Sequence, residues 1–158
     1  MPSKKVRVAI IGVGNCASSL VQGVQFYKDA ADDTAVPGIM HTRLGGYHIR
    51  DIEFTLGIDV NATKVGKDLC EAIVAEPNNT YKFAEVPYLN VPVVRGMTHD
   101  GLGKYLSGTI KKKPVPQQIL SNFSRTPRLM LLSTFYPLDL RWQPNGMWNN
   151  VSKQAVRL

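Results

Sequence analysis

The run Val6-Arg7-Val8-Ala9-Ile10-Ile11 ends on Gly12-Val13-Gly14-Asn15-Cys16-Ala17, and the residues that follow repeat at helical spacing. No other stretch of the chain restricts its fold so tightly. The short apolar, β-branched run reads as a strand buried in a parallel sheet. From Ala17 to about Tyr27, Leu20, Val21, Val24 and Tyr27 fall on one side of a helix. A strand that enters a helix through G-x-G-x-x-A opens a βαβ unit. Gly12 permits the tight turn, Gly14 removes a side chain so that a pyrophosphate can approach the backbone, and Ala17 lets strand and helix pack closely. The helix N-terminus then offers free N–H groups and the positive end of its dipole to phosphates. Dinucleotide binding is the functional reading. The alternative is a glycine turn at a βα junction that holds no ligand.

The segments downstream extend the pattern. Asp51 to Asp59 predicts a second strand, alternating at first. Asn61 or Thr63 can cap a second helix, in which Val65, Leu69 and Ile73 share a face and which Pro77-Asn78-Asn79 ends. Val91 to Val94 is a third strand candidate, weakened by Pro92. The polar, Gly/Pro-containing stretch from Asp29 to Gly46 reads as a long excursion. Strand–helix–strand–helix–strand begins a doubly wound, Rossmann-type α/β sheet. Asp59 ends the second strand, where an acid can hydrogen-bond a ribose hydroxyl and favour NAD over NADP. It stands much further from the turn than the usual ~20 residues, because the excursion intervenes. Its other reading is an acidic helix-capping or loop residue.

Composition narrows the classes. The chain has 158 residues, 44% of them hydrophobic and 20% charged, which suits one globular domain. No apolar run reaches the ~18 residues that span a bilayer, and MPSKKVRV lacks the apolar core of a secretory signal. Two cysteines, Cys16 and Cys70, without metal-type spacing suggest a reduced, cytoplasmic setting. Cys16 is either a reactive thiol at a helix N-terminus or a small packed residue; Cys70 reads as core. His41, His48 and His99 share no ligand spacing with an acid or cysteine cluster and read as surface or packing residues, so no metal site is expected. The net charge of +7 comes from the end of the chain. Met1 to Ile110 is balanced, whereas residues 111–158 carry eight Lys/Arg and one acid, Asp139. That tail also holds Trp142 and Trp148. A basic nucleic-acid arm with stacking aromatics is one reading of it. Lys111-Lys112-Lys113 beside Pro114 reads as a solvated basic loop.

Several further segments, VRVAIIGVGNCASSLVQG, VPGIMHTRLGGYHIRDIEF, DVNATKVGKDL, Asn78-Asn79-Thr80 and VRGMTHDGLGKY, resemble in sequence and order the inositol-1-phosphate synthase family, in its actinobacterial and archaeal-type branch. The resemblance covers Val6 to about Ile110, roughly the first third of such a chain. It implies a tightly held NAD and a redox-neutral cyclisation of glucose 6-phosphate to inositol 1-phosphate, an isomerase reaction of inositol and phospholipid biosynthesis, in a homotetramer. It also implies that Gly12, Gly14, Asn15, Cys16, Ala17 and Ser18 line the pyrophosphate and that Asp59 meets the adenosine ribose. Thr98 and Asp100, after the third strand, are weaker cofactor-side candidates. The family's electrophilic lysines lie in a later catalytic domain, so no catalytic residue is assigned in this chain. A conventional NAD-dependent oxidoreductase domain and a non-catalytic dinucleotide-binding module are the alternatives.

Two units are therefore expected: residues 1–110, the first part of an NAD-binding Rossmann domain, and residues 111–158, an atypical tail. Reading the codons from Gln118 onward in a shifted frame, with only first bases free, yields an amphipathic helix, a buried strand and a second helix. That is the next unit a doubly wound fold requires. The tail is thus read as the family's gene out of frame. On that reading the strands of the first unit present an unpaired parallel edge, and the polypeptide folds poorly and has no cyclase activity.

Overall fold

The computed structural model describes residues 5–32, 35–97, 105, 107–116 and the backbone of 129–133. Strand β1 (Val6–Ile11) runs into helix α1 (Asn15–Tyr27). The excursion that follows contains a two-stranded antiparallel hairpin, β2 (Arg43–Leu44) and β3 (Tyr47–His48), turned at Gly45 and Gly46, both at positive φ. Thr42 Oγ1 donates to the carbonyls of Ala31 and Asp32, and the Asp32 carboxylate pairs with Arg43 at 2.8 Å, closing the excursion on itself. A single 3-10 turn, Ile49–Asp51, leads into β4 (Ile52–Asp59). Buried His48 caps that turn, its Nδ1 accepting from the Arg50 N–H at 3.0 Å. A short helix α2 (Leu69–Ala72) and strands β5 (Val93–Arg95) and β6 (Leu129–Ser133) complete the described elements.

The main sheet has the order β5-β4-β1-β6, with every neighbouring pair parallel. The chain lays strands outward from β1 on one side and then returns to the other side of β1. This confirms the α/β, doubly wound reading. It corrects one expectation: the edge of β1 predicted to stand unpaired carries β6, with Arg7 to Ile11 in register with Leu129 to Ser133.

Two other boundaries differ from the sequence reading. The second helix is a single turn, and its cap is Asp68 rather than Asn61 or Thr63; Asp68 and Glu71 form a reciprocal capping box. Asn61 to Lys67 folds instead as consecutive turns with Gly66 at φ 90°. An Asn61 side chain that accepts from Thr63 N–H at 3.0 Å stabilises a turn as readily as a helix start. The third strand begins at Val93, not Val91, because residues 89–91 are held by Asp68 rather than by β4.

The core lies on the α1 and α2 side of the sheet, where Val8, Ile10, Val13, Ala17, Val21, Leu69, Ala72, Ile73, Val91 and Val93 are buried together. Ala9, Leu56 and Ile58 form a smaller cluster on the opposite face. Strand β1 alternates between the faces as a period of two requires. Strand β4 does not, because its register with β1 shifts between Val8 and Ala9 and leaves Thr55 over. Ile52 and Phe54 pack on the main core, while Leu56 and Ile58 face the other way. The bulge thereby turns Gly57 toward the main core, where a Cβ would come within 2.9 Å of Val93 and 3.4 Å of Leu69 and Val13.

Candidate functional site

Ligands of open α/β sheets bind beyond the carboxyl ends of the strands, at the point where strand order reverses. Here the reversal lies between β1 and β6, and β1 delivers the glycine turn to that place. Gly12 has φ 90°, a conformation that disfavours a side chain, and its N–H donates to the Ile58 carbonyl at 2.8 Å. Gly14 is the N-cap of α1 and provides no side chain to cap it. A Cβ at Gly14 would meet nothing within 4 Å, so the space above the turn is open to a ligand. The first N–H groups of a helix have no partner inside it, and the side chains of Asn15 and Cys16 beside them are exposed. These features fit a pyrophosphate.

The turn is held from three directions. From the end of β4, Asp59 Oδ2 accepts from Val13 N–H at 2.8 Å, and Oδ1 accepts from Val60 and Asn61 N–H at 2.7 and 2.8 Å. The structure therefore brings Asp59 to the turn, and in the role of a main-chain brace. From the segment after α2, Asn15 exchanges hydrogen bonds with Asn79, donating to its Oδ1 at 2.8 Å and accepting from its N–H at 2.9 Å; Thr80 Oγ1 donates to Asn15 Oδ1 at 2.9 Å. From below, Lys64 Nζ donates to the Val13 carbonyl at 2.6 Å and to Asn78 Oδ1 at 2.7 Å. Asn78 Nδ2 reaches the same carbonyl at 3.1 Å.

Of the predicted residues, Gly12, Gly14, Asn15, Cys16, Ala17, Ser18 and Asp59 come together. Ala17 and Ser18 are turned into the protein: Ala17 lies in the core, and Ser18 Oγ accepts from buried Gln22 at 3.0 Å. What Ser18 adds at the turn is its N–H, bonded to the Gly14 carbonyl at 2.9 Å. Gln22 in turn accepts from Phe83 N–H at 2.9 Å, fastening α1 to the strap after α2. Thr98, Asp100 and His99 lie outside the described residues. The exposed Cys16 is not packed away, whereas burial, followed by the adjacent Asp68 carboxylate, pushes the Cys70 thiol up to about 11. Lys111 to Lys113 are not a free loop: their backbone lies antiparallel to residues 60–62, with Ala62 N–H on the Lys111 carbonyl at 2.7 Å and Lys113 N–H on the Val60 carbonyl at 3.1 Å. The side chains of Lys111 and Lys112 are nevertheless exposed.

Sequence reasoning missed Lys64 and Asn78 as parts of this site. A lysine flanked by Val65 and preceded by a turn-forming Asn-Ala-Thr gives no local sign that it will be buried. Lys64 is only 3% exposed, and burial draws its ammonium below the usual lysine range, opposed by the neighbouring Asp59 charge. Among the described residues no helix is long and apolar enough to cross a membrane, and no three His, Cys, Asp or Glu residues are grouped to share a metal.

No family model matches the chain. It is 59% identical over 107 residues to an inositol-3-phosphate synthase of Mycolicibacterium smegmatis, a match covering 68% of this chain and 30% of the relative. The same enzyme name attaches to relatives from Mycobacterium tuberculosis H37Rv, at 59% identity over 109 residues, and Corynebacterium glutamicum, at 51% over 110 residues. The chain thus spans about 30% of the length of these curated relatives. A solved structure described as Ari2 superposes with a TM-score of 0.53 at 37% identity, over 60% of this chain and 29% of that one.

Proposed function

We propose that this chain, a homologue of the inositol-3-phosphate synthases over about two thirds of its length, supplies the first part of an NAD-binding domain for the cyclisation of glucose 6-phosphate to inositol 1-phosphate. The observation that carries this reading is the open glycine turn at the sheet's switch point, in a stretch 51–59% identical to such enzymes. A dinucleotide held at this turn would supply reversible hydride acceptance, which would leave the cyclisation with no net oxidation. The residues of this chain bind and orient. Gly12 shapes the turn, Gly14 leaves room, and the N–H groups at Asn15 and Cys16 meet the phosphates. A carboxylate has about four acceptor positions, and three at Asp59 are taken by backbone. The one left over suits a ribose hydroxyl and favours NAD over NADP. Thr98 and Asp100, which follow β5 in the sequence, are proposed as further cofactor contacts, and a homotetramer is the proposed assembly, in the cytoplasm.

On this reading residues 1–110 carry the family's sequence and residues 111–158 are read out of frame. A one-base shift in the coding DNA across Lys111 to Gln118 that restores the family's reading supports it, and no such shift refutes it. No residue of the 158 is assigned as electrophile. The expectation of poor folding rests on an unpaired edge of β1; with β6 on that edge, a polypeptide of this sequence is expected to fold and to bind NAD, and still to form no inositol phosphate from glucose 6-phosphate. Calorimetric titration with NAD and NADP tests the binding. The Gly14→Ala variant, whose added Cβ would meet no protein atom within 4 Å, should keep its melting temperature within a few degrees and lose at least tenfold in NAD affinity. A folded wild-type chain that takes up neither dinucleotide removes the reading, and inositol phosphate formation places catalytic machinery within these residues.

A further inference from the structure

Lys64 is a buried cation whose two hydrogen bonds go to neutral oxygens, Val13 O at 2.6 Å and Asn78 Oδ1 at 2.7 Å. The acid whose charge acts on it, Asp59, has its hydrogen bonds on the N–H groups of Val13, Val60 and Asn61. Burying a charge without a directly bonded counter-ion is costly, and negative charge brought to the turn would lower that cost. The peptide that Lys64 grips shows where. In a trans peptide the C=O and the N–H point in opposite directions. Lys64 and Asn78 both hold the Val13 carbonyl, which turns the Gly14 N–H away from them; beside it, a Cβ on Gly14 would meet nothing within 4 Å.

We propose that Lys64 is a positioning residue of the dinucleotide site: through the Val13 carbonyl it fixes the Gly12–Gly14 turn with Gly14 N–H aimed at the pyrophosphate, and its buried charge offsets that of the phosphates. This rests on the cofactor reading above. Asn78 is the second hand on the same carbonyl and, through Ile73 O at 2.9 Å, ties it to the end of α2.

The test compares wild type, Lys64→Met and Lys64→Arg in the full 158-residue chain, titrated with NAD, ADP-ribose and adenosine. The Met variant should bind NAD and ADP-ribose at least tenfold more weakly and adenosine within twofold of wild type, and the Arg variant should recover most of the loss. A Met variant that binds NAD as wild type does overturns the inference and leaves the cofactor reading standing. Equal losses for NAD and adenosine, with no recovery by Arg, also overturn it, since they mark a residue that only holds the fold. A folded wild type that binds none of the dinucleotide probes removes both. If the Met variant does not melt cooperatively, Asn78→Ala decides: a threefold or greater loss for NAD with adenosine unchanged supports the inference, and an unchanged NAD affinity overturns it.

Discussion

Asp68 shows how one buried acid can organise a chain locally. It is 6% exposed, and its carboxylate accepts from Cys70 N–H at 2.9 Å, Leu89 N–H at 3.2 Å and Val91 N–H at 2.7 Å. Between the last two, Asn90 adopts φ 57°, a conformation asparagine tolerates. Burial alone would raise the Asp68 pKa; the hydrogen bonds from Cys70, Val91 and Leu89 outweigh it and hold it below the ordinary value. A carboxyl depressed on folding stabilises the protein above its unfolded pKa, about 3.9, and that contribution is lost as pH falls through the folded value. Asp68→Ala should cost about 2–4 kcal/mol, a lost cap plus orphaned N–H groups. Urea melts at pH 7 and pH 3 check this, with the gap between wild type and variant closing at low pH. The thiols give a second expectation. At pH 8 iodoacetamide should label exposed Cys16 well before Cys70, whose thiol sits near 11; mass spectrometry of the peptides reads the order.

At the scale of elements, strand β4 decides where its neighbours go. Its alternation, Ile52, Phe54, Leu56 and Ile58, implies a single buried face. The bulge at Thr55 splits that set between two clusters, since a one-residue slip moves every later side chain to the opposite face. Thr55 Oγ1 donates to the Val8 carbonyl at 3.3 Å beside the irregularity. The slip puts Gly57, with no side chain, where Val13, Leu69 and Val93 converge. Gly57→Ala should therefore overpack the core by about 1–3 kcal/mol, read as a lower melting temperature. A variant as stable as wild type would mean that Val93 moves freely, against its close packing in the core.

For the molecule as a whole, the parallel sheet depends on a strand from the basic tail. With β6 paired to β1, the free edges of the described sheet are β5 and β6 rather than β1. Successive residues of a strand point their N–H groups to opposite sides, so only one of Met130 and Leu131 donates toward β1. Of the substitutions Met130→Pro and Leu131→Pro, one should cost about 3 kcal/mol, and the other should be tolerated at a sheet edge. Equal effects in thermal melts, or none from either, would show that β6 does not pair with β1 in solution. The first tail residues are also engaged, since Lys111 to Lys113 lie along residues 60–62 and the Lys113 carbonyl accepts from Arg95 Nε at 3.2 Å.

The sequence by itself determined β1, the glycine turn, α1 and the parallel arrangement that follows, because each is written locally. A β-branched run, a G-x-G-x-x-A turn and a helical period need no distant partner to be recognised. It also marked Asp59 as a residue of the site. Only the tertiary structure decided what Asp59 does there, and that Lys64 and Asn78 stand beneath the turn, 51 and 65 residues from Val13 along the chain. It likewise decided the bulge in β4 and the seat of β6. Each of these depends on the register between distant segments, and register is set by what packs against what, not by the residues on either side.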